Sequence, residues 1–190
     1  AGAGLGAAAW LLPGAAPGSI PWDAFDVDLV IDSTGAYRKK DELQLHIDSG
    51  AKRVLVSKPP INEIDRVVIQ GVNHNDIQYS DKIISTTSST TQVLALMMKI
   101  LDGSFGVDRA MMTTVHAYTS DQPLADAVRS DLRRSRSAVE NIIPNETWAP
   151  EYVSQLIPKF KDKISGIAMN VPVANGSCID LTTEMKKMPT

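Results

Sequence analysis

The sequence predicts an α/β protein in two parts, and three observations carry that prediction. A short apolar run, Val27-Asp-Leu-Val-Ile31, is followed by helical spacing from Arg38 to Ile47 and by a second apolar run, Val54-Leu-Val56. Strand, helix and strand in that order imply a right-handed crossover, and so a parallel sheet in the first part. In the second part, Ile164-Ser-Gly-Ile-Ala-Met169 and Cys178-Ile-Asp-Leu-Thr182 alternate as half-buried strands do, separated by Pro172 to Gly176. Between the two parts, Ser85-Thr-Thr-Ser-Ser-Thr-Thr-Gln92 packs hydroxyls where an apolar strand ends and the helical run Val93 to Leu101 begins.

Taken in order, Ala1 to Gly18 is mostly alanine and glycine with two prolines and has neither strand nor helix periodicity. Gly2-Ala-Gly4-Leu-Gly-Ala7 satisfies a loose G-x-G-x-x-A pattern. That motif works only after a buried strand and before a helix aimed at a pyrophosphate, so the stretch reads as a linker. Val27 to Ile31 suits a strand buried on both faces, broken by Ser33-Thr-Gly35. Leu43, Leu45 and Ile47 are the apolar positions of the first helix, with Gly50 as its stop. The strand Val54 to Val56 ends at Ser57-Lys-Pro-Pro60. Val67 to Val72 and Lys82 to Ile84 read as two further strands around Asn73-His-Asn-Asp76, and Met111 to Thr119 as another, carrying His116.

Composition bounds the function. The 190 residues are 43% hydrophobic, enough for one or two domains that bury most of a core. A net charge of −3 gives no electrostatic reason for a nucleic acid or an anionic membrane as partner. One cysteine, Cys178, excludes an internal disulfide and a thiolate zinc cluster, and it reads as a small buried apolar residue. His46 and His74 have no ligand-like neighbours in sequence, so they read as structural or solvent-facing and no metal is expected. No apolar run approaches the ~20 residues that span a bilayer, and the chain reads as soluble.

The Ser85 to Gln92 junction admits two readings. It can be an N-cap rich in serine and threonine. It can also suit an anion or an activated nucleophile, because the free N–H groups and dipole of a helix start favour negative charge.

Strand, hydroxyl-rich turn, helix and the strand Met111-Met-Thr-Thr-Val-His116-Ala resemble glyceraldehyde-3-phosphate dehydrogenase. That family reads Ser-Asn-Ala-Ser-Cys-Thr-Thr-Asn at the turn and Thr-Thr-Val-His-Ala at the histidine, and the resemblance runs from Ile20-Pro-Trp22 to Ile179-Asp-Leu-Thr182. It implies a partial doubly wound, Rossmann-like parallel sheet, followed by part of an α+β catalytic domain with an antiparallel sheet. The implied boundaries are a linker-like segment at 1–19, the second half of an NAD-binding domain at 20–85 and a partial catalytic domain at 86–190. The resemblance further implies that the family's first strand–glycine loop–helix unit and its nicotinamide-orienting asparagine lie outside this sequence.

By the same resemblance, Ser33, Thr34, Gly35 and Ser57 would line the cofactor groove for NAD or NADP. Ser89 and His116 would take the catalytic positions, and Ser88, Thr90, Thr119, Thr147 and Asn170 the substrate and phosphate positions, with Arg136 also matching. Six residues depart from the family's pattern: Ser89, Asn170, Glu146, Trp148, Thr86 and Gln92. The family's nucleophilic cysteine falls on Ser89, whose hydroxyl stays protonated where a thiolate would form. Its phosphate arginine falls on Asn170 in Met169-Asn-Val-Pro172, which removes a bidentate cation. Its Ser-Thr-Gly anion loop reads Glu146-Thr147-Trp148, and its two asparagines of the nucleophile loop are Thr86 and Gln92.

The expectation is therefore a catalytically inactive relative that binds cofactor weakly or not at all. It would work in the cytoplasm or plastid stroma as a structural or interaction subunit, with a protein partner or further copies completing its fold. The alternating charges from Asp121 to Arg136 resemble the family's subunit-packing loop, and equally fit a solvated surface. Two alternatives stay open. One is a fragment, or a Cys-to-Ser trapped form, of a phosphorylating NAD(P)-dependent enzyme. The other is a Ser89–His116 hydrolytic pair, which lacks an orienting carboxylate in the sequence.

Overall fold

The computed structural model describes residues 16–120 and 122–188. The Gly2 to Ala7 pattern and Asp121 lie outside them. Backbone contacts group residues up to 66 with 78–85 in one compact unit, and 67–77 with the residues from 86 onward in a second.

In the first unit, β1 (Leu29–Asp32), β2 (Arg53–Val56) and β4 (Ile83–Ser85) are parallel, with Val30 beside Val54 and Val56 beside Ser85. The short β3 (Arg66–Val67) completes the order β1-β2-β4-β3. Helix α1 (Lys40–Asp48) forms the crossover from β1 to β2 and packs on β2 and β4. Its Leu43 is fully buried with Val54, Val56 and Ile83, a burial that contributes about 1.5–3 kcal/mol per large side chain. Glu42 accepts the backbone N–H groups of Lys39 and Arg38, which hold its carboxyl below the usual range. Gly50 ends the helix at φ +110°, where a Cβ would come within 2.5 Å of the Asp23 backbone nitrogen, so only glycine fits. A 3₁₀ turn at Pro17–Ser19 packs on α1, the Ser49 hydroxyl donating to the Pro17 carbonyl.

Two expectations are corrected, one in this unit and one at the start of the second. β1 is not buried on both faces: Val30 and Asp32 point inward, while Leu29 and Ile31 are exposed, because α1 covers one face among the described residues. The expected strand Val67 to Val72 stops after Val67. The Asn73 side chain binds the Val67 carbonyl and the Ile69 N–H, and this folds the segment back into a turn instead of extending it.

The second unit is a sheet under two helices. Its order is β6-β7-β5-β8, from β5 (Val107–Ala117), β6 (Ile143–Asn145), β7 (Ile164–Val171) and β8 (Ser177–Met185). The sheet is mixed: β7 runs parallel to β5, while β8 on β5 and β6 on β7 are antiparallel. The crossover through β6 and α3 (Ala149–Leu156) brings β7 back in the direction of β5. Helix α2 (Ser89–Phe105) buries Leu94, Ala95 and Met98, which share a core with Ala110 and Met112 of β5, Val153 of α3, Phe160 and Ile69. Gly166 lets this layer close, since a Cβ there would lie 3.0 Å from Met112 Cε and 3.1 Å from Pro150 Cγ. Lys99 donates to the Gly71 and Val72 carbonyls and fastens segment 67–77 to α2.

Candidate functional site

The strand-to-helix junction of the second unit is built on one unusual residue. Thr87 is buried with φ +62°, a conformation that β-branched residues rarely adopt and that stores local strain. It turns the chain so that Ser88 is extended and caps α2, its Oγ accepting the Thr91 N–H at 3.1 Å and sharing a 2.8 Å hydrogen bond with the Thr91 hydroxyl. Gln92 donates to the Thr86 carbonyl at 2.9 Å and closes the junction from behind. Ser89 is the first helical residue and is exposed.

A cleft of about 210 Å³ is lined by Ser89, Thr90, Thr114, His116, Ser177 and Cys178 among others. His116 reaches it from the end of β5. Its Nε2 lies 2.7 Å from the Thr114 hydroxyl and 3.3 Å from that of Thr90. The ring nitrogen is thus engaged by two threonines, and among the described residues no hydrogen bond joins it to Ser89. The lining residues include no carboxylate, lysine or arginine.

The other residues expected around this site make local contacts. Asn170 is buried; its amide donates to the Ala117 carbonyl at 3.1 Å and its oxygen accepts from Asn145 at 3.1 Å. It ties the ends of β5, β6 and β7. Thr119 donates through both N–H and hydroxyl to Gln122, at 2.7 and 3.1 Å. Thr147 accepts the Ala149 N–H at 3.3 Å at the start of α3. Trp148 is 64% exposed, and Arg136 pairs with Asp126 at 3.2 Å. The structure therefore gathers Ser89, Thr90 and His116 in one cleft, with Ser88 as the cap beside it. Thr119, Thr147 and Asn170 are not among its lining residues. Cys178 is corrected: it is exposed, because its place opposite Val115 puts it outside the buried layer.

In the first unit, Ser33, Thr34, Gly35 and Ser57 stand at the carboxyl ends of parallel strands, the usual ligand position in open α/β sheets. Asp32 organises them. Its buried carboxylate accepts the Thr34 N–H at 2.9 Å and the Thr34 hydroxyl at 2.7 Å, and its carbonyl accepts the Ser57 N–H at 3.0 Å. Gly35, at φ +72°, would bring a Cβ within 3.5 Å of the Lys58 stem, so that side chain runs beside the turn. An exposed lysine beside two polar turns could hold an anionic group.

Sequence reasoning missed Thr114, Asp32 and Lys58. Thr114 stood in the quoted Thr-Thr-Val-His run, and its spacing of two from His116 puts both on one face of β5. Asp32 closes an apolar run and could have been flagged as a charge at a strand end.

The glyceraldehyde 3-phosphate dehydrogenase C-terminal domain family matches residues 88–190. The chain is 45% identical over 175 residues to glyceraldehyde-3-phosphate dehydrogenase of Streptomyces coelicolor, covering 92% of this chain and 52% of that protein. It is 44% identical over 171 residues to the Mycobacterium avium protein of that name, covering 90% and 50%. It is 41% identical over 175 residues to glyceraldehyde-3-phosphate dehydrogenase 1 of Bacillus cereus, covering 92% and 52%. The chain spans about half the length of the curated relatives it matches. With more than half of its residues in the matched domain, this chain belongs to the glyceraldehyde-3-phosphate dehydrogenase family.

Proposed function

We propose that this chain is a catalytically inactive member of its family that acts as a structural or interaction subunit. The observation that carries this reading is the state of the Ser89–His116 pair. The nucleophile position holds a hydroxyl, and the histidine that would activate it is bonded to Thr114 and Thr90 instead. A serine without a base on it is a weak nucleophile. Asn170 supports the reading, since its amide and carbonyl are both used inside the protein. The loop from Leu124 to Ile142 supports the subunit role: Val128, Leu132, Leu124 and Ile142 are 101%, 79%, 66% and 61% exposed among arginines, and water is a poor neighbour for them.

Ser89→Cys tests the catalytic half. The expected outcome is a cysteine that alkylates while aldehyde-dependent NADH production stays at background, because positioning supplies about 7–11 kcal/mol that a restored nucleophile does not replace. Robust NADH production would overturn the reading. The second reading, a Cys-to-Ser trapped form of the phosphorylating enzyme, is favoured by one observation: Ser89, Thr90 and His116 still line a single cleft.

Cofactor is expected to bind weakly, since the Thr34 N–H and hydroxyl are already committed to Asp32. Calorimetry with NAD or NADP should show nothing tighter than about millimolar, or about −4 kcal/mol. We place the protein in the cytoplasm or plastid stroma, with a protein partner or further copies of itself against the exposed loop. No helix among the described residues is long and apolar enough to cross a membrane. Sedimentation should show self-association or demand for a partner, and a monodisperse monomer would count against the subunit role.

A further inference from the structure

The first unit contains a buried, titratable assembly that neither the catalytic positions nor the subunit role uses. His46 on α1 and Asp32 at the end of β1 are 5% and 4% exposed, with His46 Nε2 3.5 Å from Asp32 Oδ2. On the other side of the ring, Trp22 Nε1 lies 3.1 Å from His46 Nδ1. An indole N–H can only donate, so Nδ1 must carry the lone pair, and the proton of the neutral ring sits on Nε2, facing the carboxylate. The second oxygen of that carboxylate holds the Thr34 N–H and hydroxyl, and the Asp32 carbonyl holds the Ser57 N–H. One line of hydrogen bonds therefore runs from the 3₁₀ turn at Trp22–Phe25, through α1, to both polar turns at the strand ends.

We infer that Trp22, His46 and Asp32 form a proton-sensitive relay that positions the Ser33–Gly35 turn. When His46 takes up a proton at Nδ1, two donors face each other and the Trp22 bond is lost. At the same time the Nε2–Asp32 contact becomes an ion pair and draws on the carboxylate that holds Thr34. Protonation thus exchanges a tether on the Trp22 turn for a tighter grip at Asp32. Asp32 is the charged group bonded to the imidazole. The strands beneath α1 turn uncharged Val54, Val56 and Ile83 inward, Asp65 pairs with Lys40 at the start of α1, and Glu42 on the same helix is committed to the N–H groups of Arg38 and Lys39. The relay operates whether or not a nucleotide binds at the turn.

The test is nitrogen-15 NMR of the imidazole, the Trp22 indole and the Thr34 amide in the intact chain, titrated from about pH 8 to about pH 5, the span in which histidines ordinarily change charge. At the alkaline end His46 should carry its proton on Nε2. On acidification the Trp22 indole and Thr34 amide resonances should move with the midpoint of the His46 ring. In His46→Gln both should become independent of pH. In Asp32→Asn the Thr34 response should vanish while that of Trp22 persists; should this variant not fold, the titration of the unaltered chain decides. A ring protonated on Nδ1 at alkaline pH, a His46 that does not titrate over this span, or a Thr34 amide that stays still while His46 titrates would each overturn the inference.

Discussion

The turn after β1 and the cleft beside α2 are made of the same hydroxyl-bearing residues, held in different ways. At the turn, one buried carboxylate gathers the Thr34 N–H, the Thr34 hydroxyl and His46. At the cleft no carboxylate takes part: Ser88 bonds to Thr91, and Thr114 and Thr90 bond to His116. A buried charge concentrates a region's dependence on one residue, because every donor around it loses its partner together. Neutral bonds spread that dependence in portions of about 1 kcal/mol. The chemical type of a side chain therefore says less about a site than the bonds it already makes.

The largest effect that bears on this contrast concerns the cores beneath the two regions. Phe160 is fully buried in the second unit, and Phe160→Ala should cost that unit about 3–5 kcal/mol. Native-state hydrogen exchange should show protection falling along β5 and α2 while amides around Asp32 keep theirs. Equal loss in both would mean that the two regions share one cooperative unit and that the contrast is superficial. Next in size, Asn170→Ala strips partners from the Ala117 carbonyl and the Asn145 amide and should cost about 1–3 kcal/mol in urea denaturation. An unchanged midpoint would return Asn170 to the pool of free recognition groups. Ser88→Ala removes the cap of α2 and should cost about 1 kcal/mol.

Acid should distinguish the units by a smaller margin per group, because the carboxylates concerned are screened by solvent. In the first unit, Lys39 and Arg38 N–H groups hold Glu42 low, and the Arg66 guanidinium with the Gln78 N–H holds Asp81 low. Asp65, which burial pushes up, is brought below its usual value by Lys40 and by the Ile83 and Lys82 amides. In the second, Asp102 is held low chiefly by Lys159. A depressed native value means that the unfolded chain binds more protons, so this stabilisation is complete above the ordinary carboxylate range near pH 4 and is lost as pH falls through the native values. Hydrogen exchange at about pH 6 and about pH 3 should find the first unit weakened more. The smallest effect is the sharpest control: Ser89→Ala, one residue from the cap, should change stability by less than about 0.5 kcal/mol.

Much of this was legible in the sequence, and the rest was hidden for identifiable reasons. The runs at Val54 and Ile83, the α1 spacing and the hydroxyl cap were visible because periodicity and capping are local. The parallel course of β7 was not, because alternation reveals that a strand has two faces and says nothing of its direction. Val67 to Val72 looked like a strand, and the Asn73 side chain, outside the run, broke it. Cys178 looked buried by residue type, whereas its register opposite Val115 decides its exposure. At the candidate site, Ser89 and His116 could be named from their motifs. That Thr114 would occupy the histidine depends on a rotamer and a 2.7 Å approach, which no pattern encodes.

The order β6-β7-β5-β8 also sets a timetable. β5 leaves the ribosome before either neighbour exists: Met111 must wait for Ser165 on one side and Thr182 on the other. At about 5–20 residues per second, translation leaves the longest strand of the sheet without ladder partners for seconds. During that interval its main-chain donors and acceptors are open to any passing strand. A nascent chain that has reached β6 but not β7 therefore carries β5 with neither ladder partner.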